Sequence, residues 1–124
     1  MKMPIRILFV EDDAEMSAIY AENFCLPEFQ ITTASGGEEA WKLLADSAGD
    51  YDLVVTDNYM PGMDGMTLLR KIRKDFPNIK VVMVSGYGDW SSDSIRGQNA
   101  CGLRFLDKPV RMSNLKQLIR EWTQ

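Results

Sequence analysis

Leu53-Val54-Val55-Thr56-Asp57-Asn58-Tyr59-Met60-Pro61-Gly62-Met63-Asp64-Gly65 is the stretch on which the reading of this chain turns. Its first four residues have strand character and run straight into the carboxylate of Asp57. A loop punctuated by proline and glycine follows. An isolated aspartate in that position ordinarily caps the next helix or satisfies a turn. Asp57 has company, however: acids end the first predicted strand, a hydroxyl ends another and a lysine ends a third. That company makes Asp57 a candidate nucleophile.

Toward the N-terminus, Ile5-Arg6-Ile7-Leu8-Phe9-Val10 is a nearly continuous apolar run of strand length, suited to a strand covered on both faces. Glu11-Asp12-Asp13 follows, and Met16, Ile19, Tyr20 and Phe24 then recur at helical spacing. Asp12 or Asp13 is placed to cap this helix and Pro27 to end it. Residues 29–34 read as a second, more polar strand. After Gly36-Gly37, Ala40, Leu43 and Leu44 give a short amphipathic helix that stops before Gly49.

Beyond the opening stretch, Leu69, Ile72 and Phe76 mark a third helix closed by Pro77. Residues 79–84 form a fourth strand that reaches Ser85-Gly86. The segment 89–99 is a helix by alternation alone, rich in Ser and Asp and anchored only by Ile95. Residues 103–106 are a short fifth strand followed by Asp107-Lys108-Pro109. Leu115, Leu118, Ile119 and Trp122 draw a last helical face, with Ser113 as candidate cap.

Strand and helix alternate five times without a repeat or linker, which predicts an α/β fold with a parallel sheet and right-handed crossovers. The most apolar strands, the first, third and fourth, belong at the centre, giving the flavodoxin-like order 2-1-3-4-5 in a (βα)5 three-layer sandwich. Sites in such sheets lie beyond the carboxyl ends of the strands, at the switch point between the first and third. Glu11, Asp12 and Asp57 sit there.

With 124 residues, 45% hydrophobic and 26% charged, the chain is expected to be one domain over 1–124. A net charge of −4 argues against nucleic acid or an acidic membrane as direct partner. Arg70-Lys71-Ile72-Arg73-Lys74 is interrupted by Ile72 and reads as a solvated helix face. No run is long enough to span a bilayer and no secretion signal is evident. Cys25 and Cys101, far apart in sequence, fit a reducing cytoplasm and read as small buried hydrophobes. The absence of histidine removes Ser-His and Cys-His catalysis and the usual zinc sites.

Carboxylates converging at one crevice repel, so the cluster calls for a cation. Hard oxygen donors with room for water suit Mg2+, which would also offset charge around an incoming phosphoryl group. Attack by Asp57 on phosphorus would give an acyl phosphate. Ser85 can donate a hydrogen bond to one phosphoryl oxygen, and Lys108 can supply a point charge to another. Singly, each residue has a plainer reading: Glu11-Asp12-Asp13 as a cap, Ser85 as a turn residue, Lys108 as a loop lysine. Together they fall at the carboxyl ends of successive strands.

Val10-Glu11-Asp12-Asp13, Asp57 through Gly65, Val84-Ser85-Gly86 and Phe105-Leu106-Asp107-Lys108-Pro109 resemble the receiver domain of two-component response regulators, in order and spacing across essentially the whole chain. The resemblance implies that Asp57 is the phosphoacceptor and that Glu11, Asp12, Asp57 and the backbone carbonyl of Tyr59 hold Mg2+. It implies that Ser85 is a switch hydroxyl, Phe105 the switch aromatic and Lys108 the lysine on the phosphoryl group. The donor would be a sensor histidine kinase or a histidine phosphotransfer protein. Output would leave through the face made by the 89–99 helix, the fifth strand and the last helix, to a downstream protein or effector domain. Such a domain is no conventional enzyme, catalysing only its own phosphorylation and dephosphorylation.

Two departures stand out. The positions two after Asp57 and two after Ser85, which in this family tune access of hydrolytic water, are Tyr59 and Tyr87, predicting slow dephosphorylation. The segment from Ser85 to Lys108 is about one residue longer than usual and carries Cys101-Gly102 where a small pair is common, which points to a marginal fourth helix. Rival readings are a flavin-binding domain, which Glu11-Asp12-Asp13 would disfavour by repelling a phosphate, and a Mg2+-dependent aspartyl-phosphate hydrolase, in which an acid would replace Tyr59. A purely structural interaction module is the third.

Overall fold

The computed structural model describes residues 4–86 and 102–123. The expectations for Tyr87, Cys101 and the 89–99 helix fall outside the described residues. In chain order the elements are β1 (Ile5–Val10), α1 (Ala14–Asn23), β2 (Phe29–Ala34), α2 (Gly37–Asp46), β3 (Leu53–Asp57), α3 (Gly65–Asp75), β4 (Lys80–Ser85), β5 (Leu103–Asp107) and α4 (Met112–Trp122). The five strands form one parallel sheet in the order β2-β1-β3-β4-β5. The β-branched runs of β1, β3 and β4 occupy its centre, where both faces are covered, and the more polar β2 and β5 take the edges.

Successive strand residues face opposite sides, so the sheet has two separate cores. Leu8, Val10, Val54, Val81, Met83 and Leu103 point to one side, where Ala40 and Leu44 of α2 and Leu68, Leu69 and Ile72 of α3 cover them. Ile7, Phe9, Leu53, Val55, Val82 and Val84 point to the other, under Tyr20 of α1 and Leu115 and Ile119 of α4. The four described helices thus lie two on each face, in keeping with right-handed crossovers.

Four details differ from the sequence reading. Ile19, assigned to the buried stripe of α1, is 42% exposed. Neighbouring helical positions point about 100° apart, and Tyr20 takes the inward direction by stacking on Phe9. Cys25 is exposed, because the chain has left α1 by that point and turns over the surface toward β2. The same helix ends at Phe24, whose N–H donates to the Tyr20 carbonyl at 3.0 Å, before Pro27 is reached. Ser113 does not cap α4: the helix begins at Met112, and Arg111 holds the cap position without a side-chain bond.

Candidate functional site

The strand register assembles the site. Val10 lies opposite Thr56 in the β1–β3 pair, so the next step along both strands brings Glu11 beside Asp57. Glu11 continues the alternation of Ile7 and Phe9, and Asp57 that of Leu53 and Val55, so both belong to the α1/α4 face of the sheet. Asp13 ends the acidic run by accepting the Glu15 N–H at 3.0 Å as the N-cap of α1. Asp12 is exposed. Carboxylate oxygens of Glu11, Asp12 and Asp57 all lie within 4.8 Å of one another.

Lys108 reaches this cluster from the end of β5. Its Nζ donates to Asp57 Oδ2 at 3.0 Å, and its backbone N–H donates to the Ser85 carbonyl at 2.8 Å. Asp57 is only 6% exposed. Its second oxygen, Oδ1, is buried and has no hydrogen-bond partner among the described residues. Burial pushes the Glu11 carboxyl up to about 7, a shift increased by the negative charge of Asp57 and opposed by the Asp13 N–H and by Lys108.

Further along the β3–α3 loop, the buried Asn58 accepts the Gly65 N–H at its carbonyl at 2.9 Å. A Cβ at Gly65 would overlap the Asp57 carbonyl oxygen and lie 2.8 Å from Met83 Sδ, so only glycine lets α3 start this close to Asp57. Gly62 holds the loop's left-handed turn at φ 77°. Asp64 caps α3 by accepting the Thr67 N–H at 2.8 Å, and that bond lowers its carboxyl below the ordinary range.

The acids and Lys108 border a cleft of about 630 Å³, lined by Glu11, Asp12, Asp57 and Lys108 and, on its α1 wall, by Met16 and Tyr20. The structure therefore brings four of the expected residues into one pocket. Ser85 is adjacent and fully buried, and by strand alternation it belongs with Met83 to the opposite face of the sheet. Phe105, paired with Met83 across β4 and β5, is half-buried against that same core. Tyr59 is 64% exposed. Tyr20 escaped the sequence reading as a site residue because its helical spacing explained it as core. A phenol where a leucine would serve was the available signal.

A parallel 2-1-3-4-5 sheet with an acidic cleft at its switch point defines the class, and comparison with known proteins names the family. Residues 7–120 match the response regulator receiver domain, so the chain belongs to that family and is a receiver domain of two-component signalling. A part of the sensor kinase CckA of Brucella abortus is 34% identical over 116 residues, covering 93% of this chain and 12% of that protein. The two-component response regulator ARR11 of Arabidopsis thaliana is 32% identical over 112 residues, 90% of this chain and 21% of the relative. The chain thus spans about an eighth to a fifth of the length of these two relatives. The CheX-CheY-BeF3-Mg complex from Borrelia burgdorferi contains a chain similar in structure at a TM-score of 0.84 and 28% identity, covering 97% of this chain and 90% of that one. Receiver domains are generally signalling modules and not enzymes, and the flavin and hydrolase readings lapse with the family assignment.

Proposed function

We propose that this chain, as a single receiver domain over 1–124, takes a phosphoryl group from a partner phosphohistidine onto Asp57. The observation that supports this best is the state of the Asp57 carboxylate. It is buried, with one oxygen fixed by Lys108 and the other unpartnered among the described residues, and it lies in reach of two more carboxylates. In the transfer, an Asp57 oxygen forms a bond to phosphorus as the phosphorus–nitrogen bond breaks, and the imidazole leaves with the electron pair. Lys108 offsets charge on the phosphoryl oxygens as it now does on Asp57.

Glu11, Asp12 and Asp57 fit Mg2+: they are hard oxygen donors in mutual reach, and an orphaned buried oxygen and three crowded carboxyl groups favour a cation. The Tyr59 carbonyl is the fourth candidate ligand. Bound there, Mg2+ would neutralise charge on the attacking and transferred oxygens. The sensor kinase relative is consistent with a histidine kinase or a histidine phosphotransfer protein as donor. Ser85 then serves as the switch hydroxyl and Phe105 as the aromatic that follows it, shifting affinity for a downstream protein or effector domain at the β5–α4 side. Tyr59 and Tyr87 limit the access of water to the acyl phosphate. A cytoplasmic setting agrees with this chemistry, and among the described residues no helix is long and apolar enough to cross a membrane.

The test is Mg2+-dependent labelling by acetyl phosphate. Wild-type protein is expected to gain one acid-stable, base-labile phosphoryl group that Asp57→Asn and chelator both abolish. Equal labelling of Asp57→Asn would refute the assignment.

A further inference from the structure

One wall of the cleft has no part in the chemistry just proposed. Tyr20 lies on α1, nine residues from Glu11 in sequence, yet it lines the same cleft as Glu11, Asp57 and Lys108. Helical side chains lean toward the amino end of their helix. For Tyr20 that direction runs back over Met16, which also lines the cleft, toward the acids that precede α1. The ring is held firmly. It stacks on Phe9 with centroids 4.6 Å apart and planes 19° apart, and the residue is 2% exposed. Burial, and then the negative charges of Glu11 and Asp57, push the phenol up and keep it protonated. Among the described residues lining this cleft, Tyr20 alone has a neutral polar side chain; the rest are charged or apolar.

That distinction matters for a hydrated cation. Mg2+ keeps several of its waters when only a few carboxylates bind it, and those waters are strong donors that need acceptors around them. On the α1 wall Met16 offers only a weakly accepting sulfur. A phenol oxygen accepts a hydrogen bond while its own O–H donates another, and so can join a cation-bound water to a carboxylate.

We propose that Tyr20 is a positioning residue of the acidic cleft, its hydroxyl accepting a hydrogen bond from a cation-bound water and donating a hydrogen bond to the carboxylate cluster. This rests on the metal-dependent phosphoacceptor reading above and adds to it a residue on α1 that governs how tightly the cation is held.

Tyr20→Phe removes the hydroxyl and keeps the ring on Phe9. Calorimetric titration with Mg2+ alone, without phosphodonor, is expected to give a dissociation constant about five- to tenfold weaker than wild type. The melting temperature in chelator is expected to stay unchanged, whereas a merely structural tyrosine would lower the melting temperature and leave Mg2+ affinity intact. Equal Mg2+ affinity of the two proteins, with wild type still labelled on Asp57, would overturn the role of Tyr20 and spare the proposed function. Wild type that neither binds Mg2+ nor accepts label would overturn both. A second measurement needs no variant: Mg2+ is expected to perturb the tyrosine ultraviolet spectrum of the unsubstituted protein, and a flat difference spectrum also overturns the proposal.

Discussion

Glu11 carries the clearest single-residue consequence of the site. Its folded carboxyl titrates near 7, above the ordinary value of 4.5, chiefly because it is buried. Between those two values the folded protein binds more protons than the unfolded chain, so stability falls as pH rises. The stabilisation is complete below the unfolded value and lost as pH passes through 7. At about 1.4 kcal/mol per pH unit the whole effect is on the order of 3 kcal/mol. Urea melts of the metal-free protein at pH 5 and pH 8 should show this loss, and Glu11→Gln should remove most of it. Mg2+ must displace that proton, so its affinity should climb across the same window. Tyr59 offers a second residue-level test. Trimming its exposed ring with Tyr59→Asn should shorten the life of the Asp57 phosphoryl group several-fold, measured by loss of label after removal of donor.

Among the elements, the start of α3 bears on the site most directly. Asp64 caps it and Gly65 lets it approach Asp57, so two neighbouring residues do separable things. Asp64→Ala should cost about 1 kcal/mol, seen as a lower urea midpoint, with labelling of Asp57 preserved. Gly65→Ala should cost about 1–3 kcal/mol through overpacking and should also slow labelling, because the clash falls on the backbone of Asp57 itself. Equal labelling by both variants would show that the close approach has no bearing on Asp57. The strand ends are legible from sequence because apolar runs of strand length stop abruptly at polar residues, which singles out Asp57, Glu11, Asp12 and Lys108. Tyr20 and the Gly65 contact are not, since each depends on which way a helix faces after it has crossed the sheet. α1 shows the difficulty most plainly. Its apolar residues are too evenly spread to decide between Ile19 and Tyr20, and the aromatic partner that decides it, Phe9, lies on another element. Ser113 failed as a cap for a related reason: a backbone turn closed by the Arg111 carbonyl started the helix without side-chain help.

At the scale of the molecule, the sheet divides the protein into two cores, and the proposed chemistry sits at the edge of one while Ser85 and Phe105 belong to the other. Leu115 is fully buried and anchors α4 in the core that it shares with Phe9 and Tyr20. Leu115→Ala should lose about 2–5 kcal/mol, a large part of the 5–15 kcal/mol that holds such a domain folded. The pleat also sets which changes of length this protein can survive over evolutionary time. A residue inserted within β3 would turn Asp57 away from Glu11 to the other face, because a strand counts in twos and has no intermediate setting. An insertion beside Pro27, in the exposed turn before β2, shifts nothing at the carboxyl ends. In a library of single-residue insertions sorted by Asp57 labelling, tolerance should therefore collect at the amino-end turns and vanish across 53–57. The spacing of this lineage's motifs would then be a record of strand parity, kept fixed where loops are free to drift.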